Sequence, residues 1–287
     1  MNKFTILIGL ISISLLSFTY KKRKKFKVPE NYVYVPSGTT TIGDKDVSCN
    51  AFFMAQHEVT NKEYRDFVQH LRENGKEEDL QKAIPDTTVW NQFGSFSEPM
   101  VNLYFSHPAY DNYPVVGVTR EGAELYCIYL TEMSKELYGD VINDFRLPFK
   151  EEWIYAAQAG NQQNAYAWNG PYLRDDEGNY LANFKHIGEE NITTDENGNP
   201  VIIEGAAASF IEDGSFYTSP TMTYYANDYG LYNMSGNVAE MVAKENVSMG
   251  GHWYSTGHDI RVDSEEEFTA ANPFVGFRPV MTFLSTK

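Results

Sequence analysis

Cysteine is scarce: the 287-residue chain has only Cys49 and Cys127, far apart and in no Cys-x-x-Cys or Cys/His spacing. No thiolate metal motif is therefore present, and two buried free thiols are expected ahead of a disulfide, free cysteine being a common small core residue. Basic residues are also scarce over most of the chain. Seven of the 23 Lys and Arg lie within the first 27 residues, where there is no acid; the remainder sets 16 basic against 39 acidic residues, a formal charge of −23. Such a body disfavours nucleic acid, whose phosphates need a basic face, and suits calcium or a basic partner. Solenoid repeats are absent, as are low-complexity tracts after residue 27.

One long uncharged apolar stretch is present, Phe4 to Tyr20, followed by the basic run Lys21 to Lys25. A lightly charged start and a Ser-rich hydrophobic segment read as an export signal. The alternative is an uncleaved anchor, for which the positive-inside rule would hold the body in the cytoplasm. No cysteine follows, so a lipid anchor is not supported. Residues 1–27 are read as signal or anchor, and 28–287 as one domain in the periplasm or cell envelope, with membrane association through residues 4–20 as an option.

With 42% hydrophobic and 15% aromatic residues, that domain can bury a large core. Tyr32 to Pro36 alternates as an opening strand, and Cys49 to Ala55 reads as another. Thr60, Asn61 and Glu63 precede Tyr64, Phe67, Val68 and Leu71 at helical spacing, which predicts an N-capped amphipathic helix over Val59 to Leu71. Further helices are predicted over Arg120 to Leu137 and Lys150 to Ala159. Beyond Gly160 the Gly-, Asn-, Asp- and Tyr-rich sequence predicts loops and short strands, and so much irregular backbone calls for a pinning device such as bound metal.

Seven collinear motifs resemble the formylglycine-generating enzyme, or sulfatase-modifying-factor, family. They are Val35-Pro36-Ser37-Gly38 with Ile42-Gly43; Glu58-Val59-Thr60-Asn61; Pro114 to Val118 with Ala123 and Tyr126; Phe145-Arg146-Leu147-Pro148 with Glu152-Trp153; Tyr229 to Val238 with Glu240; Gly250-Gly251; and Gly276-Phe277-Arg278. The resemblance implies a compact α+β, C-type-lectin-like fold rich in irregular loops. It also implies two calcium sites. One would use Asn183, the Phe184 carbonyl, Asp213 and the Ser215 carbonyl; the other Asn233, the carbonyls of Gly236 and Val238, and Glu240. All are oxygen donors, as a hard cation requires. Read without the family, the same residues are ordinary turn formers.

Active members of that family carry two cysteines five residues apart after Gly-Gly, which bind copper(I) and activate oxygen to oxidise a substrate cysteine. Here the segment runs Gly250-Gly251-His252-Trp253-Tyr254-Ser255 to Ile260, and the cysteine positions fall on Ser255 and Ile260. A hydroxyl and an aliphatic group cannot replace soft sulfur ligands, so copper is not expected. His252 and His258 invite a different redox metal, as in relatives of thiohistidine biosynthesis, but two histidines with no third ligand read as loop residues. Asp259, Asp263 and Glu265 to Glu267 read as a solvated acidic loop.

The stretch Ile84 to Val118 resembles an insertion of the gliding-motility lipoproteins of the Bacteroidetes, which belong to gliding and type IX secretion. Its aromatic residues, Trp90, Phe93 and Phe96 among them, form either a lid over the core or a surface for an envelope protein partner. The expected function is thus a non-catalytic structural or binding component of the envelope. The alternatives are an oxidoreductase with another metal site and a lectin-like ligand-binding module.

Overall fold

A computed structural model describes residues 30–94, 97–139, 142–186, 192–202 and 215–283. Phe96, Asp213 and the amino-terminal segment lie outside them. Among the described residues no helix is long and apolar enough to cross a membrane.

The centre of the fold is strand β4 (Phe52–Ala55), whose four residues are all buried. An unbroken apolar run of this length is what a strand covered on both faces needs. It lies between β1 (Tyr32–Val35) and β12 (Val280–Thr282), with β5 (Phe145–Arg146) beyond β12, all antiparallel. The stretch expected as one strand from Cys49 to Ala55 is instead two. β3 (Lys45–Cys49) pairs with β2 (Gly38–Ile42) in a separate hairpin, and the chain changes sheets at Asn50 and Ala51.

Phe53 and Met281 face one layer of helices: α1 (Asn61–Glu73), α2 (Glu77–Ala83) and α4 (Arg120–Tyr138). α1 starts on a reciprocal cap in which Glu63 N donates to Thr60 Oγ1 and Thr60 N donates to Glu63 Oε2 at 2.9 Å. Its apolar face packs Tyr64 flat on Tyr126 of α4, centroids 5.7 Å apart. On the opposite side, Phe52, Met54 and Val280 meet α5 (Lys150–Gln158) through Trp153 and Ile154. α5 ends one residue before the expected Ala159, which turns left-handed at φ 48°.

Between α2 and α4 the aromatic stretch forms a 3-10 turn (Thr87–Phe93), the short α3 (Glu98–Leu103) and a second 3-10 turn (Pro108–Tyr110). Asn61 Nδ2 ties it to α1 by donating to the carbonyls of Tyr104 and Tyr110, 3.1 Å each. After α5 the described residues form only short strands: the hairpin β6 (Ile192–Thr194) and β7 (Pro200–Ile202), then β8 (Ala239–Met241), β9 (Val247–Met249), β10 (Glu265–Glu267) and β11 (Val275–Gly276) in a second sheet. Both cysteines are buried free thiols, and burial pushes the Cys49 thiol up to about 11.

Candidate functional site

The family-like motifs converge on one buried polar network. Arg278 is fully buried and donates from Nε and Nη2 to the two oxygens of Glu240, at 2.7 and 2.6 Å. It also reaches the carbonyls of Ala55, Gln56 and Tyr232. Trp153 Nε1 donates to Glu240 Oε2 at 2.7 Å. A second buried carboxylate, Glu58, lies 3.9 Å from Arg278 and accepts from Asn237 Nδ2 at 2.8 Å and Asn233 Nδ2 at 3.2 Å. Two carboxylates share one guanidinium. Burial pushes Glu58 up to about 8, the Arg278 charge opposing and the Glu240 charge reinforcing the shift.

The loop from Asn233 to Glu240 is shaped for this role. Asn233 and Asn237 are left-handed, at φ 52° and 64°, a conformation asparagine tolerates better than most residues. Gly236 sits where a Cβ would fall 2.4 Å from the Asn183 carbonyl oxygen, so only glycine fits. Asn237 Oδ1 in turn accepts from Ser219 N at 2.8 Å.

The second residue set expected for calcium lies within this network, and of the first set Asn183 touches it, its Nδ2 standing 3.3 Å from Asn237 Oδ1. In the second, Asn233 Nδ2 is occupied by Glu58 and the Thr221 carbonyl, whereas its buried Oδ1 has no hydrogen-bond partner among the described residues. That acceptor, with the Gly236 and Val238 carbonyls, fits an oxygen-preferring cation. Glu240 is its least committed member, because its charge is shared with Arg278. In the first set, Asn183 Nδ2 donates to the Tyr217 carbonyl at 2.7 Å, Phe184 is buried, Ser215 is half-buried, and Asp213 lies outside the described residues. Among the described residues no three His, Cys, Asp or Glu side chains converge on a metal position.

The segment at the copper positions borders a cavity of about 880 Å³. Gly250 positions it, since a Cβ there would strike the Trp153 ring at 2.8 Å. His252 is 6% exposed and stacks on Phe274, centroids 4.4 Å apart. Its Nδ1 accepts from Tyr254 N at 3.1 Å and its Nε2 faces Glu266 Oε2 at 3.2 Å. That contact holds Glu266 below the usual carboxylate range, against its partial burial. Ser255 Oγ accepts from the His252 main-chain N–H at 3.0 Å. Ile260 is 0% exposed and lies in a core cluster with Tyr166, Ala182 and Phe184. His258, by contrast, is on the surface beside Asp259. Glu265 to Glu267, expected as a solvated loop, form the exposed strand β10, and Lys150 pairs with Glu265.

The aromatic stretch requires a correction. Trp90, expected either in a lid over the core or on a partner surface, is 1% exposed and packs with Met100, Tyr104, Val238 and Trp253, which fits the lid and not the exposed surface. It roofs the core because Trp253 and Tyr217 offer it an apolar bed. Phe93 is half-buried and forms one wall of the cavity. The sequence offered no sign that these rings, more than 150 residues from Trp253, would meet it.

A mixed helix and strand fold built on this network is that of the sulfatase-modifying factors. The model of the sulfatase-modifying factor enzyme 1-like domain matches residues 18–283, and the chain belongs to that family. It is 26% identical to the formylglycine-generating enzyme of Bos taurus over 74% of this chain and 57% of that one. It is 25% identical to the chaperone protein LppX of Paenibacillus barcinonensis over 88% and 90%. With the inactive C-alpha-formylglycine-generating enzyme 2 of Bos taurus it shares 24% over 86% and 87%. Two curated relatives it matches are much longer, the chain spanning 28% and 57% of them. The solved structure of PvdO from Pseudomonas aeruginosa superimposes with a TM-score of 0.56 at 18% identity, over 88% of this chain and 94% of that one, a likeness of fold.

Proposed function

We propose that this chain is a non-catalytic sulfatase-modifying-factor protein that works by binding, with the cavity beside His252 as its binding face. The observation that carries the reading is the donor chemistry at the two copper positions. Ser255 offers a hydroxyl already turned to the His252 N–H, and Ile260 an aliphatic side chain sealed in the core. Copper(I) has no sulfur to bind there. The cavity itself is intact and of a size that suits a ligand. Similarity over most of both chains to a protein named a chaperone and to one named inactive supports a binding role.

In this reading the protein is exported and acts in the envelope with another protein, and a place in a gliding or type IX secretion assembly follows from the resemblance of its aromatic insertion. Calcium, held by Asn233 and the carbonyls of Gly236 and Val238 with Glu240, would add charge compensation and rigidity to the loop behind the cavity. The test is incubation with copper(I), oxygen and a cysteine peptide of sulfatase type, with mass detection of the aldehyde. No conversion above a metal-free control is expected; turnover would overturn the proposal.

A further inference from the structure

We propose that a second concavity, away from His252, takes a neutral glycan of hexopyranose units. It measures about 490 Å³ and shares no lining residue with the cavity at the copper positions. The site goes beyond the binding role given above and stands or falls separately from it. Two loops build the walls, Tyr224, Tyr225 and Tyr232 coming from one and Tyr180 from the other. Single exposed aromatics are ordinary surface, whereas four tyrosines around one hollow are not. Tyr225 is 83% exposed and Met222, which also lines the hollow, 56%. Side chains so exposed add nothing to the core, and a tyrosine ring offers a large amphipathic contact at low entropic cost.

The polar groups decide the class of ligand. Among the described residues no Lys, Arg or His lines the hollow, and Asp175 is its one acid. That carboxylate is committed to its own turn, accepting from Glu177 N at 3.0 Å, Asn179 N at 2.8 Å and Asn179 Nδ2 at 3.1 Å. Arg174, the residue before it, stands 3.9 Å from the Tyr180 centroid. An anion therefore finds no cation here, and a cation finds only a carboxylate already satisfied and flanked by a guanidinium. A neutral ligand with both apolar faces and hydroxyls fits what remains. The C–H face of a pyranose packs on the electron-rich face of a tyrosine ring, and its hydroxyls need partners of either sense. The Asn179 amide and the tyrosine hydroxyls both donate and accept, and the Thr223 hydroxyl, which donates to the Pro220 carbonyl at 2.8 Å, is left to accept.

The walls are also fixed in advance. The Tyr232 main chain accepts from Arg278 Nη2 at 2.7 Å and donates to the Gln56 carbonyl at 2.9 Å, and Tyr180 packs on His186 with centroids 3.7 Å apart. Preformed walls spare a ligand the cost of ordering them.

The experiment is calorimetric titration of the full chain with neutral tetrasaccharides of glucose, of mannose and of N-acetylglucosamine, and with charged tetramers of galacturonate and of glucosamine. Binding of at least one neutral tetramer is expected, with both charged ones weaker. Tyr225→Ala removes a ring face and should weaken that binding roughly tenfold, whereas Tyr225→Phe should keep most of it. Both variants should melt as the parent does, because so exposed a ring adds little to stability. Phe93→Ala, in the other cavity, should leave glycan binding unchanged. Failure of every neutral tetramer, a preference for a charged one, or full-strength binding by Tyr225→Ala overturns the proposal. Glycan binding that Phe93→Ala abolishes and Tyr225→Ala spares also overturns it and moves the ligand to the cavity beside His252.

Discussion

Arg278 grips Glu240 with two parallel hydrogen bonds, Nε to Oε2 at 2.7 Å and Nη2 to Oε1 at 2.6 Å, and both side chains are sealed from water. The pair joins β8 to the approach of β12, and the remaining Arg278 donors reach carbonyls at the end of β4 and in the loop before Asn233. Glu240→Gln leaves a buried guanidinium short of a counter-charge and should cost about 3 to 5 kcal/mol, read from urea unfolding. Replacing both partners, as Glu240→Leu with Arg278→Met, should recover only part of this. In the double variant the carbonyls of Ala55, Gln56 and Tyr232 lose their Arg278 donors.

Stability should fall as pH rises towards 8. Glu58 is raised in the folded state to about 8, mainly by burial, so between its ordinary carboxylate range and that value the folded chain holds a proton that the unfolded chain has lost. The stabilisation from this proton is complete below the unfolded pKa and disappears as pH passes through the folded one. Glu58→Gln, which stays neutral and keeps an acceptor for Asn237, should flatten the slope of melting temperature over that window. An equal slope in the variant would remove Glu58 as its source.

These two carboxylates show how much the sequence disclosed. Glu58, Trp153, Asn233, Glu240 and Arg278 each stood in a motif of the family resemblance, which implied the fold, and the helices were legible from period and cap signals such as Thr60 and Glu63. Their mutual contacts were not, because Glu58 and Asn237 are separated by 179 positions and no local period encodes such a meeting. Trp90 misled for a related reason: an aromatic 3-10 turn has no clean amphipathic repeat, so burial depended on what packs beneath it.

Calcium should raise the melting temperature and chelator should lower it. A ligand bound only by the native state stabilises by about 2.7 kcal/mol at a hundredfold excess over its Kd. The buried Oδ1 of Asn233, unpartnered among the described residues, makes Asn233→Ala the sharper probe: it should abolish the calcium shift. Unchanged melting with both additives would exclude the ion.

Trp90→Ala should destabilise the fold by roughly 3 to 5 kcal/mol, the cost of emptying an aromatic site in a packed core. An exposed partner residue would cost little. Thermal melts of Trp90→Ala and of Phe93→Ala separate the two roles, the half-buried Phe93 costing less.

Ser255 should be inert as a nucleophile although it lies beside a histidine and a glutamate. A reactive serine needs an imidazole nitrogen free to take its proton. His252 has none. Tyr254 N is a donor only, so Nδ1 must accept, and Glu266 is an acceptor, so Nε2 must carry the hydrogen. The hydroxyl of Ser255 meanwhile accepts from the His252 main chain and is placed by a turn in which Ser255 N donates to the His252 carbonyl at 2.8 Å. Nitrogen chemical shifts of the His252 ring should therefore show the Nε2–H tautomer, and a fluorophosphonate probe should leave Ser255 unlabelled. Labelling abolished by His252→Ala would establish a working serine and histidine pair and would bring a hydrolytic enzyme back into consideration.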